Sequence, residues 1–348
     1  MRLLLSFISI LLISFSVCGF AKEATVPQIE LLDETGVALE QVSGLTRFDN
    51  LLLFVAQKQH RLYYTDTESA MRLFTQSNAS LRLSHIELEG AFPKEASWEA
   101  VAIARQGKVH HIYLSYEHID EVDSFHKIFR GKIAREEEGL QVSFMTAFSQ
   151  ALAVNSNPNI KPEDRTNFGY ESMIWDDKSE RLLLMSELDG APALWLDDKG
   201  VPQAMVTNKH GMRLSDMTGS DDNSCQILVS FCYKFDPVCE KRNGESKLTL
   251  AKASIVDSQF AIDDSIDISA RYLDIETKDA TQTGVYNAEG ITFYQGQLLM
   301  VNDNIPGKGV TTALRQMALP EDWSGICGTP ESSVSPLKVS SFPLKPVN

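Results

Sequence analysis

The chain of 348 residues lacks most of the patterns that identify an activity. No HExxH pair offers a zinc-protease helix, and no GxSxG elbow offers an exposed nucleophile. Ser172, in Gly169-Tyr-Glu-Ser-Met, has no glycine frame around it. Gly307-Lys-Gly-Val-Thr resembles a phosphate loop only in part: Asn302 stands where the first glycine belongs, and no strand-turn-helix context surrounds it. It reads as a hairpin turn. Basic runs are also missing. With 47 acidic against 32 basic residues, the formal charge of −15 argues against nucleic acid and anionic membranes as partners. Long amphipathic helical stretches are absent, and beyond the N-terminus no apolar run is long enough to span a bilayer. No transmembrane segment is expected.

What is present begins with a processing signal. Met1-Arg2 gives a positive start, Leu3 to Val17 is almost wholly apolar, and Gly19-Phe-Ala21 supplies small residues before a cut at Lys22. These predict a secretory signal peptide over 1–21 and export to the periplasm or the extracellular space. Phe15-Ser-Val17 lacks the small residue that lipidation of Cys18 would need. The remaining cysteines are Cys225, Cys232, Cys239 and Cys327, an even number that predicts disulfides in an exported chain. Cys225 and Cys232 lie too far apart along one strand to pair. Cys232–Cys239 around Asp236-Pro237, with Cys225–Cys327, fits the spacing.

Short Val-, Ile-, Leu-, Phe- and Tyr-rich runs separated by turn residues predict strands throughout the mature chain. Five times a short polar residue opens such a run, and a second run follows about ten residues later. The openers are Ser43, Glu99, Glu171, Asp216 and Glu289; the paired runs end at Gln57, Glu117, Glu187, Ser230 and Asp303. Around the second copy four strands are expected, near 98–104, 109–117, 125–133 and 139–147. A four-stranded meander is the unit of a propeller blade. The expected fold is all-β: a single propeller over 22–320, with five blades, or six if one copy has diverged. The N-terminal run 27–32 closes the ring by completing the last blade, which removes an exposed edge. A tail follows over 321–348.

Hairpins reverse direction, so a strand opener and its partner's last residue share one edge of the sheet. The pattern therefore gathers Glu99, Glu117, Glu171, Glu187, Asp216, Glu289 and Asp303 at one channel mouth, with Asn302 as a neutral oxygen. Hard cations such as calcium take six to eight oxygens, so this set is the candidate metal or ligand rim, with a divalent cation, calcium first, as the expected cofactor. Solvated strand ends are the bland alternative. Crowded like charges are costly unless a cation or a raised pKa relieves them. His110, His111 and His118 read as surface or packing residues.

At these motifs the chain resembles the secreted bacterial propellers known as SdiA-regulated proteins and the "esterase-like activity of phytase" proteins. The matching pieces are Trp98-Glu-Ala-Val-Ala-Ile with Tyr113-Leu-Ser-Tyr-Glu117, Tyr170-Glu-Ser-Met with Leu184-Met-Ser-Glu187, and Asn287-Ala-Glu-Gly-Ile with Val301-Asn-Asp-Asn304. The resemblance implies an exported ring with calcium binding or hydrolase behaviour at the mouth. Gluconolactonase-like propellers, by analogy, also hold a metal on Glu, Asn and Asp near the channel. The chain departs from the pattern at Ser43 and Gln57 in the first copy, at Ser172 in the third, and in the cysteine-bearing strand of the fourth. Two functions are expected from this reading. One is a metal-dependent hydrolase of a small ester, lactone or phosphoester. The other is a non-catalytic binding or scaffold propeller holding a protein or small-molecule partner. The expected state is a monomer.

Overall fold

Runs such as Leu51–Ala56 and Leu182-Leu-Leu-Met185 are apolar at every position, the mark of a strand buried on both faces. The computed structural model places them so. It describes residues 27–323 apart from 58, 94–96, 120–123, 138, 154–168, 208–210, 220–224, 233–246, 257–258, 270–286 and 304–310. The described residues are all-β except for one seven-residue helix and a short helical turn at 321–323.

An N-terminal strand, β1 (Gln28–Leu32), precedes five antiparallel meanders. The first meander is β2 (Val42–Phe48), β3 (Leu51–Ala56), β4 (Arg61–Asp66) and β6 (Ser84–Glu87). Between its last two strands come helix α1 (Thr67–Leu73) and β5 (Ala79–Arg82). The second meander is β7 (Ser97–Gln106), β8 (Val109–Ile119), β9 (Ser124–Glu136) and β10 (Gly139–Val142). The short strands β11 (Thr146–Ala147) and β12 (Leu152–Ala153) also pair with β9.

The third meander holds β13 (Ser172–Asp176), β14 (Arg181–Met185), β15 (Ala193–Leu196) and β16 (Pro202–Thr207). The fourth is β17 (Leu214–Gly219), β18 (Gln226–Cys232), β19 (Lys247–Val256) and β20 (Gln259–Asp267), joined to the third by a short parallel pairing of β16 with β20. The fifth is β21 (Asn287–Tyr294), β22 (Gln297–Asp303) and β23 (Ala313–Ala318). Its fourth strand is β1, antiparallel to β23, with Ile29 opposite Leu314. Beyond β1, β5 adds in parallel.

The helix is the one element the strand pattern did not predict. Asp66 caps it, accepting from the Ser69 amide at 2.9 Å, and Thr67 and Ala70 face inward.

Five apolar clusters hold the meanders together, each between two neighbours. Val55, Leu53 and Phe48 meet Trp98, Val101 and Leu114 of the second meander. Ala102 and Tyr113 meet Met173 and Trp175 of the third. Leu183 and Trp195 meet Met217 and Leu228 of the fourth, and Val229 and Leu250 meet Ile291 and Met300 of the fifth. Leu299 and Val301 meet Leu45 and Phe54 of the first. Successive residues of one strand serve opposite neighbours, as with Tyr113 and Leu114 or Leu228 and Val229, because side chains alternate across a sheet. Hence such strands carry consecutive apolar residues at their centres, as in Ile112-Tyr-Leu114 and Ile227-Leu-Val229.

The signal segment and most of the tail lie outside the described residues. Trp323, at the start of that tail, is buried, and its Nε1 donates to Asp264 Oδ2 at 2.9 Å. Cys225 is buried and disulfide-bonded. The side chains of Cys232, Cys239 and Cys327, and so the pairing, lie outside the described residues. The same holds for the Gly307 turn. Among the described residues no helix is long and apolar enough to cross a membrane.

Candidate functional site

The inner strands β2, β7, β13, β17 and β21 each begin at the same end of their meander, and four of them begin with a bulge. One residue leaves the ladder between Val42 and Gly44, between Trp98 and Ala100, between Leu214 and Asp216, and between Ala288 and Gly290. A bulge re-aims the extra side chain, so Ser43, Glu99, Ser215 and Glu289 are equivalent. In the third copy Glu171 stands just before the first ladder pair, Ser172 with Met185.

This register corrects the sequence alignment by one residue in the fourth copy: the opener there is Ser215, not Asp216. Asp216 occupies the position held elsewhere by Gly44, Ala100, Ser172 and Gly290. Its partner strand shifts likewise. Leu214 faces Ser230, so the equivalent of Glu117 is Phe231.

Six carboxylates remain together: Glu99 and Glu117, Glu171 and Glu187, Glu289 and Asp303. The ladder sets Ser97 opposite Glu117 and Asn287 opposite Asp303, at the end where the openers stand. Glu99, Glu171 and Glu187 are buried; Glu289 and Asp303 are half-buried. Glu99 accepts from Ser97 Oγ at 2.6 Å and from Gln57 Nε2 at 3.2 Å, and Gln57 in turn accepts from Gln41 Nε2 at 3.2 Å. Asn287 donates its side-chain amide to Glu289.

The fourth meander contributes a cation. Arg213 grips Glu187 with two bonds, Nε to Oε1 at 2.7 Å and Nη2 to Oε2 at 3.0 Å. Sequence reading missed Arg213. It stands two residues before Ser215, and so matches Gln41, Ser97 and Asn287, the other side chains that bond the rim.

Burial pushes the Glu171 carboxyl well above the usual carboxylate range, and the charges of Glu187, Glu289 and Glu99 push the same way against Arg213. Glu99 and Glu289 are likewise raised well above it, first by burial and then by Glu117 and Asp303 respectively. Burial raises Glu187 too, but Arg213 pulls against it by charge and by hydrogen bonding. Glu187 also bonds to Glu171, and burial favours a proton on this coupled pair.

Two expected rim residues do other work. Asp216 accepts the Ile291 amide at 2.6 Å, and burial, not any neighbouring charge, raises its carboxyl. Asn302 spends its side chain on backbone, donating to the Thr311 carbonyl at 3.2 Å and accepting from the Ala313 amide at 2.7 Å. Among the described residues no three or more His, Cys, Asp or Glu side chains are arranged to hold one metal ion. A cleft of about 470 Å³ lies beside the first meander, lined by Asp33, Leu39, Glu40, Gln59, His60 and Tyr63 among others.

No protein-family model matches the chain, and no curated protein matches it. Among solved structures, the chain is similar to the glutaminyl cyclase of Myxococcus xanthus at 11% identity and a TM-score of 0.45, over 85% of this chain and 97% of that one. A structure described under the GH130 mannoside phosphorylases and hydrolases acting on Candida mannan matches at 10% identity and a TM-score of 0.48, over 85% and 92%. The α-L-arabinanase of Cellvibrio cellulosa matches at 11% identity and 0.44, over 82% and 92%. At these scores the likeness carries no statement about this chain's activity.

Proposed function

We propose that this chain is an exported five-bladed β-propeller whose acidic mouth binds a small neutral or cationic molecule and hydrolyses an ester or lactone, with Glu171 as proton donor. For five blades closed in a ring, the support is a contact at every step between neighbours. Ser43 Oγ donates to the Trp98 carbonyl, Ser115 Oγ to the Tyr170 carbonyl at 3.1 Å, and Arg213 to Glu187. Asp216 bonds Ile291, and Arg47 Nη1 donates to the Phe293 carbonyl at 3.2 Å, joining the fifth meander to the first. The N-terminal strand β1 then completes the last blade. For export, the support is the N-terminal signal pattern.

The observation that carries the chemistry is the pair Glu171–Glu187 with Arg213 clamped on Glu187. Two carboxyls whose surroundings push their pKa values apart divide into a proton donor and a stabilising anion. Charge then selects among the expected substrates. Carboxyl groups outnumber Arg213 six to one, so the mouth disfavours a phosphoester, which arrives as an anion, and tolerates a neutral ester or lactone.

The test is a panel of esters, lactones and phosphoesters with purified wild type and Glu171→Gln. Hydrolysis of a neutral ester or lactone that falls at least about 100-fold in the variant, with the variant melting no lower than wild type, is expected. Binding without turnover on the whole panel would replace this reading by the non-catalytic binding propeller.

A second reading places a divalent cation, calcium first, on Glu289 and Asp303. It is favoured by their half-exposed position and by the strong mutual repulsion of Glu289 and Asp303, which a cation would relieve. Water or substrate oxygens would complete its shell. A rise in melting temperature with calcium, lost in Glu289→Gln, is the expected sign; melts that ignore calcium and chelator alike would remove it.

A further inference from the structure

His126 lies on β9, wholly buried in the wall between the second and third meanders. Its Nδ1 is 3.2 Å from Ser115 Oγ, and its Nε2 is 3.4 Å from Glu117 Oε1. The Nε2 atom has no aligned hydrogen-bond partner and is fully enclosed, at ion-pair distance from the acidic rim. Tyr170 stands edge-on to the ring, 6.1 Å between centroids. Gly169 packs so closely that a Cβ there would lie 1.9 Å from Nε2. No side chain larger than hydrogen at 169 is compatible with this placement of the imidazole.

Counting protons shows what lies in the gap. Ser115 has one hydroxyl proton and two acceptors beside it, the Tyr170 carbonyl and His126 Nδ1. If the proton goes to Tyr170, whose carbonyl has no proton to offer, Nδ1 must carry its own proton to bond Ser115. Nε2 of a neutral ring would then aim a lone pair at a carboxylate, which is repulsive unless a proton sits between them. If instead Ser115 donates to Nδ1, the ring proton is on Nε2, the atom 3.4 Å from Glu117 Oε1. In the second arrangement the ring itself supplies a proton to this gap; in the first the close approach is favourable only if a proton enters it.

We propose that His126 is a positioning residue for the mouth: through a proton shared between Nε2 and Glu117 Oε1, and through Ser115 and Tyr170 behind it, it fixes the orientation of Glu117. The groups facing it are Glu117 and Ser115 on β8 and Tyr170 before β13. Glu99 on β7 lies beyond Glu117 and repels it. The inference stands whether or not the mouth is catalytic, because it depends only on the wall between the two meanders.

Nitrogen-15 NMR of the full-length protein labelled at histidine tests it. Comparison with His126→Gln assigns His126 among the seven histidines. A protonated Nε2 at pH 7, its proton surviving hours in deuterated water, is expected, and Glu117→Leu should shift or erase that signal. An unprotonated Nε2 in wild type, or a protonated one indifferent to Glu117→Leu, overturns the proposal. The wild-type spectrum decides the first point even if a variant fails to fold. Loss of hydrolysis on the ester panel with the shared proton intact would count against the proposed reaction and not against this pair.

Discussion

Asp216 Oδ2 accepts the backbone amide of Ile291 at 2.6 Å, joining the inner strands of the fourth and fifth meanders through a buried carboxylate. At the equivalent positions Gly44 and Gly290 bring their own backbones against the next inner strand. A Cβ on Gly44 would lie 3.2 Å from the Val101 amide nitrogen, and one on Gly290 2.8 Å from that of Leu45. Asp216 thus turns a close approach into a hydrogen bond. Asp216→Ala, which leaves the Ile291 amide buried without its acceptor, should cost about 1–3 kcal/mol in denaturant unfolding. Asp216→Asn keeps an acceptor and should cost less. Equal losses for both would mean the charge, not the bond, matters.

Arg213 and Glu187 form a bidentate pair with Glu187 only 2% exposed. Removing one partner of such a pair strands the other. Arg213→Met should therefore destabilise by about 2–4 kcal/mol, and Arg213→Met with Glu187→Leu should recover most of the loss. The measurement is a double-mutant cycle by denaturant unfolding. Additive losses would show that the two side chains do not act together.

The carboxyls of Glu99, Glu171 and Glu289 are raised in the folded chain, chiefly by burial. Between the unfolded value of about 4.3 and the folded values, the native state holds more protons than the unfolded one, so stability falls as pH rises. The protonated contribution is complete below about pH 4 and is lost as pH climbs through the folded values. Melting temperature should therefore decline from mildly acid to neutral pH, and Glu171→Gln should flatten the slope and raise the neutral-pH melt. A profile that rises over this range instead would show these carboxyls ionised and paired.

Gly290→Ala places a methyl 2.6 Å from a Val301 side-chain carbon as well as against the Leu45 backbone, where neither strand can retreat. Overpacking of this kind should cost about 1–3 kcal/mol. Gly107→Ala is the control. It has open space around it and φ of +63°, so it pays only backbone strain, about 1 kcal/mol. Thermal melts of the two variants decide whether the inner strands are as tightly apposed as their geometry requires.

The strand pattern was readable because both faces of the second strands β3 and β14 are buried, which makes Leu51–Ala56 and Leu182-Leu-Leu-Met185 apolar at every position. The carboxylate pairs were readable for a similar reason: a hairpin obliges Glu99 and Glu117, or Glu289 and Asp303, to share an edge. Helix α1 went unread because seven residues are too few for a clear helical period, and its Asp66 cap looks like any turn residue. Arg213 and His126 went unread because local periodicity does not show which side chains of other strands they meet. Arg213 bonds a glutamate 26 residues away on another meander, and His126 meets Ser115 of its own meander and Gly169 ahead of the next.

By itself, then, the sequence determined the all-β meanders, the repeat and the three acidic pairs, since these follow from local periodicity and hairpin reversal. Only the tertiary structure decided which residue opens the fourth copy, because a one-residue bulge moves the ladder without changing the pattern of apolar residues. It also decided what each acid does. Asp216 and Glu171 are both buried carboxyls after an apolar approach, yet one holds a neighbouring backbone and the other lies against Glu187 with its pKa raised by burial. Packing between meanders makes that difference, and no local pattern encodes it.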